Sequence, residues 1–203
     1  ADESRMFRRQ GGRVACVSQE GLPADTVTPD NHSGAADLAR RLITQGHREF
    51  AILAGPTDLS TARERLDGFH AALTAAGLDL AHHNVVHGDF TRDGGYESTR
   101  RLMAVGTDAT CLFAVNDVMA TGAMAALRDL GLRVPTDLSV AGFDDIPTLR
   151  DLTPALTTVR LPLEEMGERA ATLALDGEPA DPPRVITVKG EVVERESTAP
   201  PTR

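Results

Sequence analysis

Short apolar runs that alternate with amphipathic segments constrain the fold of this 203-residue chain more than any other feature of its sequence. The runs are too short for buried helices and are typical of strands covered on both faces. They lie at residues 13–18, 50–54, 85–86, 111–115 and 138–141. The segments between them repeat apolar residues at helical spacing. The alternation predicts about four strand–helix units between residues 30 and 145, and hence an α/β fold with a mostly parallel sheet and helices on both faces.

Polar residues mark the starts of several predicted helices. Asn31 or Ser33 can cap the first helix of this region, because their short side chains accept hydrogen bonds from free backbone N–H groups. Thr61 and Glu64 have the spacing of a capping box at the start of the next helix. Asn116 directly follows an apolar run and is predicted to cap a later helix.

Prolines and weaker patterns complete the assignment. Pro23 and Pro29 predict a loop over residues 22–31. The remaining predicted elements are helices at 93–105 and Leu163–Leu175, extended segments at 157–160, Val185–Val188 and 192–193, and a tail at 197–201 that is extended or frayed.

Charge and hydropathy exclude several classes of protein. The chain carries 30 Asp and Glu against 21 Lys and Arg, so these residues are not expected to bind nucleic-acid phosphates directly. The cationic cluster Arg5, Arg8, Arg9 and Arg13 is interpreted as a solvated helix face or chain end. No apolar stretch approaches the roughly 20 residues that cross a membrane, and no segment is typical of a secretory signal. We therefore expect a cytoplasmic protein with no membrane partner.

Polar and aromatic side chains follow the predicted strands, at the sheet edge where parallel sheets bind ligands. Thr61 and Arg65 follow one strand and share a helix face, whereas Phe90, Asn116 and Asp144 each follow another. Arginine donates to hydroxyls, aspartate accepts from them, an amide does both, and a ring packs against C–H groups. These five residues predict a site for a polyhydroxylated ligand.

Each residue of this site also has a structural alternative. Asn116 can be only a helix cap, Asp144 only a strand end, Arg65 a surface ion-pair partner, and Phe90 a core residue. Their joint placement at one edge favours the binding interpretation.

Two further clusters predict little chemistry. His82, His83 and His87 lack an accompanying carboxylate or thiolate at ligand spacing, so they are interpreted as a polar loop and not a metal site. Asp144 and Asp145 are adjacent, and neighbours on a strand face opposite sides, so they are not expected to act as a catalytic pair. No nucleophile, phosphate-loop or dinucleotide motif is present. We expect no metal, no cofactor and no enzymatic activity.

Seven stretches in consistent order resemble lactose-repressor-type (LacI/GalR) transcription regulators. They are LITQGHREFA at 42–51 with Gly55-Pro56, Thr61-x-x-x-Arg65-x-x-Gly68-Phe69, Gly88-Asp89-Phe90, AVNDVMA at 114–120, VPTDLSVAGFDD at 134–145, PALTTV at 154–159 and VERESTAPP at 193–201. The resemblance runs from about residue 13 to the C-terminus.

The resemblance implies a role for each predicted site residue. Arg65 is similar to the arginine that grips the effector in this family, and Thr61 to a nearby contacting hydroxyl. Phe90 is similar to the aromatic residue that stacks on the ligand. Asn116 and Asp144 are similar to the amide and carboxylate that bind ligand hydroxyls. The chain departs from the family at Leu161 and Cys16, where members often place polar ligand contacts.

The resemblance also implies a periplasmic-binding-protein-like (type I) architecture of two α/β lobes. Residues 30–161 and 188–203 are expected to form a near-complete C-terminal lobe. Residues 1–29 and 162–187 are expected to form an incomplete N-terminal lobe. No segment is typical of a helix-turn-helix, so DNA would be reached only through a domain absent from this chain.

The expected function is therefore effector binding and dimerisation in a bacterial transcriptional regulator. The effector is expected to be a carbohydrate or a similar small molecule, and residues 116–131 and 133–146 are expected to contribute to a homodimer. The alternative is a substrate-binding protein of a sugar transport system, which shares the two-lobe fold. The scarcity of aromatic residues disfavours a purine held between rings.

Overall fold

Contacts between residues divide the chain into two units. The computed structural model describes residues 6–7, 12–17, 24–175, 180 and 182–202. The smaller unit joins Ala1–Asp30 to Leu161–Gly190, and the larger unit joins Asn31–Arg160 to Glu191–Arg203. Of the predicted cationic cluster, Arg5, Arg8 and Arg9 lie outside the described residues.

Strands and helices largely alternate along the described part of the chain. In chain order the elements are β1 (Ala15–Val17), β2 (Asp25–Pro29), α1 (Asn31–Thr44), β3 (Phe50–Leu53), α2 (Ser60–Ala75), β4 (Val85–Val86), α3 (Arg92–Val105), β5 (Cys111–Ala114), α4 (Asp117–Asp129), β6 (Ser139–Ala141), β7 (Thr158–Arg160), α5 (Leu163–Leu175), β8 (Val185–Val188) and β9 (Glu191–Val193). Short 3₁₀ turns lie at His82–Asn84 and Pro147–Leu149.

A parallel sheet in the order β4-β3-β5-β6 forms the centre of the larger unit. Every residue of β3 and of β5 is buried. Because successive side chains of a strand point to opposite faces, both faces of this sheet are covered. The predicted α/β class with parallel sheets is confirmed.

Three phenylalanines join α2 to the middle of this sheet. The ring of Phe69 on α2 stacks on Phe113 of β5, with centroids 4.6 Å apart. Phe69 also forms a T-shaped pair with Phe50 of β3, with ring centroids 5.5 Å apart. Aromatic rings bury large apolar areas, so this cluster fixes the helix that carries the site arginine.

Glycines allow the helices of each pair to approach closely. A Cβ added to Gly68 of α2 would lie 2.1 Å from the carbonyl oxygen of His32 on α1. A Cβ added to Gly122 of α4 would lie 1.9 Å from the carbonyl oxygen of Arg92 on α3. Backbones therefore meet directly at both crossings, where no side chain could be accommodated.

The smaller unit contains a second parallel sheet, in the order β1-β2-β8. Helix α5 packs Met166, Ala170 and Leu173 against Val27 of β2 and Val188 of β8. The predicted bounds of α5 and β8 are confirmed.

The loop predicted over residues 22–31 is wrong, because β2 occupies Asp25–Pro29 at the centre of this second sheet. Two threonines and Val27 are β-branched and suit a pleated strand. Pro29 is the last residue of the strand, a position where its missing N–H removes little pairing. The next residue, Asp30, donates its N–H to the carbonyl of Val188 at 2.8 Å.

The C-terminal tail is extended and tied to the larger unit. The Ser197 hydroxyl donates to the carbonyl of Val140 at 2.6 Å and accepts from the N–H of Thr157 at 2.8 Å. Strand β9 precedes this tail and pairs antiparallel with β7. The tail is therefore held by hydrogen bonds on both sides and is not frayed at Ser197.

Candidate functional site

The buried side chain of Arg65 contacts residues from three separate parts of the larger unit. Arg65 lies on the second turn of α2, and its side chain is 4% exposed. Its Nε donates to Oδ1 of Asn31 at 2.9 Å, and its Nη1 donates to the carbonyl of Val115 at 2.8 Å. Its Nη2 lies 2.9 Å from Oδ1 of Asp144. The guanidinium carbon stands 3.9 Å from the centroid of the Phe143 ring, a cation–π contact.

Asp144 is held in an unusual backbone conformation. It follows β6 with φ 124, and its N–H donates to the carbonyl of Val159 on β7 at 2.9 Å. Such a φ is costly for a residue with a Cβ and persists where surrounding contacts impose it. Burial raises the pKa of Asp144 to about 6, the Arg65 charge opposes this, and Asp117 adds to it.

Asn116 caps α4, as predicted. Its Oδ1 accepts the N–H of Met119 at 2.6 Å, and its own backbone is extended. It directly follows Val115, whose carbonyl accepts from Arg65. Asn116 therefore lies at the carboxyl end of β5, next in sequence to a residue that accepts a hydrogen bond from Arg65.

Phe90 lies against the carboxyl end of β3. A Cβ added to Gly55 would be 3.1 Å from Cδ2 of Phe90 and 3.4 Å from Cγ2 of Val115. Gly55 has φ +68, so the chain turns there at little cost. His87 also reaches this turn, with Nδ1 3.0 Å from the Gly55 carbonyl oxygen.

Thr61 is not the helix cap that the sequence predicts. Helix α2 begins at Ser60, and the capping position is Leu59, which makes no side-chain cap. Glu64 also has a different partner, because its Oε2 accepts from Nδ2 of Asn31 at 2.8 Å. Thr61 is half-buried in the first turn, one turn before Arg65.

Of the five predicted site residues, Arg65 and Asp144 are in direct contact. Asn116, Phe90 and Thr61 lie at the same sheet edge, but no contact described for them joins them to that ion pair.

Sequence reasoning missed two buried residues that surround the pair. It treated Asn31 only as a possible cap, whereas the Asn31 side chain bridges Arg65 and Glu64. It gave Phe143 no separate role, although the ring of Phe143 covers the guanidinium. Only the folded chain brings α1 and the end of β6 to the same arginine.

Asp117 adds a second buried carboxylate. Its Oδ1 accepts from the hydroxyl of Thr158 at 2.6 Å, and its Oδ2 accepts from the N–H of Ile146 at 3.0 Å. Burial raises the pKa of Asp117, although these two hydrogen bonds oppose the shift.

Asp145 has a different environment from its neighbour. Its carboxylate accepts from Arg160 at 2.7 Å, Arg195 at 2.7 Å and Arg150 at 3.2 Å. Burial raises the pKa of Asp145, but hydrogen bonds and charge from these arginines outweigh burial and lower it overall. Asp144 and Asp145 therefore serve separate sets of partners.

Two negative findings apply to the residues that the structure describes. No three potential metal-ligating side chains come together within the described ranges. Likewise, none of the described helices is long and apolar enough to span a membrane.

Comparison with known proteins gives consistent matches. Residues 39–198 match the family described as periplasmic binding protein-like domain. The HTH-type transcriptional regulator CelR of Thermobifida fusca is 38% identical over 188 residues, which cover 91% of this chain and 55% of CelR. The HTH-type transcriptional repressor PurR of Proteus mirabilis is 37% identical over 177 residues, which cover 86% of this chain and 52% of PurR. The chain thus spans about half the length of the curated relatives it matches.

Solved structures match over nearly the whole chain. A CelR–cellobiose complex has a TM-score of 0.84 at 35% identity and covers 95% of this chain and 61% of its own. A sugar-binding transcriptional regulator of the LacI family from Escherichia coli, complexed with phosphate, has a TM-score of 0.83 at 31% identity. That match covers 98% of this chain and 73% of the regulator.

Proposed function

This chain belongs to the periplasmic-binding-protein-like domains of LacI/GalR-family transcriptional regulators, and from that premise we propose that it binds a sugar or sugar-like effector. In this proposal the effector controls DNA binding by a longer protein. DNA would be contacted by a helix-turn-helix segment outside these 203 residues. The regulator would act in the cytoplasm.

The two units correspond in this proposal to the two lobes of such a regulator. Residues 30–161 with 188–203 would form the C-terminal lobe, and residues 1–29 with 162–187 would form part of the N-terminal lobe. The division of contacts at Asp30, Arg160 and Gly190 supports this assignment.

The ion pair between Arg65 and Asp144 carries the proposal. The two groups meet at 2.9 Å at the carboxyl edge of the sheet, where parallel sheets bind ligands. A guanidinium and a carboxylate together supply donors and acceptors for the hydroxyls of a sugar. Asn116 would add an amide at the same edge, and Thr61 a hydroxyl. Phe90 would supply a ring face for C–H groups.

The proposed mechanism is a shift in population between lobe arrangements. A ligand that binds one arrangement more tightly shifts the population toward that arrangement. A homodimer would then transmit the change to the DNA-binding segments. Residues 116–131 and 133–146 are the proposed contributors to the dimer.

The transport alternative is less well supported. CelR and PurR are named as regulators of transcription, as are the solved structures reported above. None of these relatives is named as a transport protein or an enzyme.

Calorimetric titration of this chain with a panel of neutral sugars tests the proposal. We expect at least one sugar to bind, and Arg65→Lys to weaken that binding by about tenfold or more, because a lysine cannot reproduce three separate nitrogen contacts. Arg63→Lys is the matched control, since Arg63 is exposed on the same helix. Equal losses in both variants would remove the site assignment, and the absence of binding by any sugar would contradict the function.

A further inference from the structure

A cavity of about 360 Å³, called here the amino-edge cavity, lies at the amino-terminal edge of the larger unit's sheet. Its walls include Thr110 just before β5, Ser139 at the start of β6, and Thr202 of the C-terminal tail. Strands β5 and β6 are parallel, and Asn116 and Asp144 follow their carboxyl ends, so the cavity lies at the opposite edge from those residues. Small-molecule sites typically measure about 300–1,000 Å³, a range that includes this cavity.

Hydrogen bonds hold the C-terminal tail in place as one wall of the amino-edge cavity. The Ser139 hydroxyl accepts from the N–H of Ala199 at 3.2 Å and donates to the Ala199 carbonyl oxygen at 3.3 Å. Two residues earlier, the Ser197 hydroxyl donates to the carbonyl of Val140 on β6. The tail is therefore fixed against the strand whose start lines the cavity.

The two loops that line the cavity are also held by their own side chains. The Thr107 hydroxyl accepts from the N–H of Ala109 at 3.1 Å and donates to Oδ1 of Asn84 at 2.8 Å. The Asp137 carboxylate accepts from the backbone N–H and from two guanidinium nitrogens of Arg133, each at 2.8 Å. The walls are thus formed without a ligand, as is usual for small-molecule sites.

The described walls of the cavity offer a ligand no unpaired charge. Asp137 is the one ionisable residue among the described residues that line it, and both of its oxygens accept from Arg133. Asp108 lies between two lining residues, but it is exposed, so water and salt screen its charge. An anion would find no cation on these walls, and a cation would have to displace Arg133 from Asp137.

The same walls combine apolar surface with hydroxyl groups. Met103, Leu132 and Pro201 line the cavity and are only partly buried, so an apolar ligand group would remove their exposed surface from water. Thr136 also lines the cavity and is exposed, and its hydroxyl can both donate and accept a hydrogen bond. This combination suits a molecule with an apolar body and an uncharged polar group.

We propose that the amino-edge cavity is a second ligand site, which binds an uncharged amphipathic small molecule. The apolar body of the ligand packs on Met103, Leu132 and Pro201, and its hydroxyl or amide group exchanges a hydrogen bond with Thr136. This site is separate from the one proposed at Arg65, because the two lie at opposite edges of one sheet. The inference goes beyond the proposed function and does not depend on it.

Three probes that share one ring test the proposal: benzyl alcohol is uncharged, benzoate is an anion and benzylamine is a cation at pH 7. Proton–nitrogen correlation spectra of the isotope-labelled chain, recorded during each titration, locate and quantify binding. We expect benzyl alcohol to give saturable shifts at the amides of Thr110, Thr136 and Ser139. We expect its affinity to be about tenfold or more above that of either ion, because an ion would lose water without gaining an opposite charge.

A cavity-filling variant provides the second arm. Thr136→Trp places an indole at the wall of the cavity, so the affinity for benzyl alcohol should fall by about tenfold or more as the ring takes up the ligand's space. Thr148→Trp is the matched control, because Thr148 is equally exposed but lies on the turn Pro147–Leu149, outside the cavity. It should leave that affinity unchanged.

Each outcome decides the proposal. Saturable shifts around the cavity that are lost in Thr136→Trp and kept in Thr148→Trp support it. The second site is overturned if no probe gives saturable shifts, if the shifts fall at Asn116 and Asp144 instead, or if both variants lose affinity equally. Tighter binding of benzoate or benzylamine than of benzyl alcohol overturns the assignment to an uncharged ligand. The wild-type titrations need no variant, so they decide the proposal even if Thr136→Trp is unstable.

Discussion

Asp144 and Asp145 are consecutive residues, yet the pKa values of their carboxyl groups are shifted in opposite directions. Asp144 pairs with the buried Arg65, and burial raises its pKa to about 6. Asp145 accepts from three arginines, which lower its pKa in spite of burial. Both residues have positive φ, at 124 and 54. The turn after β6 thus aims one carboxylate at the proposed ligand site and the other at the strands that end the larger unit.

The raised pKa of Asp144 predicts a pH-dependent stability difference. The folded protein holds a proton on Asp144 up to about pH 6, whereas the unfolded chain releases it near 3.8. The Asp144 contribution to the free energy of unfolding therefore falls as pH rises through that window. Relative to the wild type, Asp144→Asn should gain roughly 2 kcal/mol between pH 4 and 7.

Urea denaturation across this pH range measures that gain. The difference between variant and wild type cancels the titratable groups that do not interact with Asp144. A difference that stays flat or falls with pH would contradict the assignment of the raised pKa to Asp144.

Removal of the Asp145 charge should be strongly destabilising. Asp145→Asn leaves three arginines without their carboxylate, and breaking a buried ion pair typically costs about 3 kcal/mol. The folded-state pKa of Asp145 is lowered, so its stabilisation is present at neutral pH and is lost as pH falls. The penalty should therefore shrink in acid.

Asp137→Asn is the matched comparison for Asp145→Asn. Asp137 pairs with the exposed Arg133 at 2.8 Å, and such surface pairs contribute at most about 1 kcal/mol. Guanidinium denaturation at pH 7 should show a larger loss in the free energy of unfolding for Asp145→Asn than for Asp137→Asn. Equal effects would show that the Asp145 arginines contribute no more than a surface pair.

The close crossing of α1 and α2 should not tolerate a methyl group. Gly68→Ala places a Cβ 2.1 Å from the carbonyl oxygen of His32, so the helices must separate at a cost of about 2 kcal/mol or more. Gly167→Ala on α5 is the control, since a Cβ there has no neighbour within 4 Å. It should stabilise by about 0.5–1 kcal/mol through helix propensity. Thermal unfolding measures the midpoint temperature of each variant. A shift of both midpoints in the same direction would contradict the expected contrast between Gly68→Ala and Gly167→Ala.

The two cysteines should differ sharply in reactivity. Cys111 lies fully buried in β5, and burial raises the pKa of its thiol well above the ordinary range. Cys16 is only partly buried on β1. An aromatic disulfide reagent at pH 7.5 should modify one thiol in the native chain and two in denaturant. Cys16→Ser should leave the native chain unreactive, and labelling of that variant would contradict the burial of Cys111.

The sequence anticipated the elements whose signal is local. The apolar runs at Phe50–Leu53 and Cys111–Ala114 form central strands. Their side chains point to both faces of the sheet, so they are removed from water only where both faces are covered. The Asn116 cap followed in the same way from one side chain and the adjacent N–H groups.

Local signals failed where distant partners decided the outcome. Residues 25–29 became a central strand because β1 and β8 pair with them on either side, and prolines at the ends did not prevent it. Glu64 does not form the predicted capping box, because its carboxylate accepts a hydrogen bond from Asn31, 33 residues away in the sequence.

The sequence by itself therefore determined the α/β class, the parallel sheet and the set of polar residues at its carboxyl edge, since periodicity and caps act over a few residues. Only the tertiary structure decided which of those residues meet. The packing of α2 against β5 brings Arg65 to Asp144, and the turn after β6 separates Asp144 from Asp145. Contacts of that kind depend on burial and on distances between elements, which no local pattern encodes.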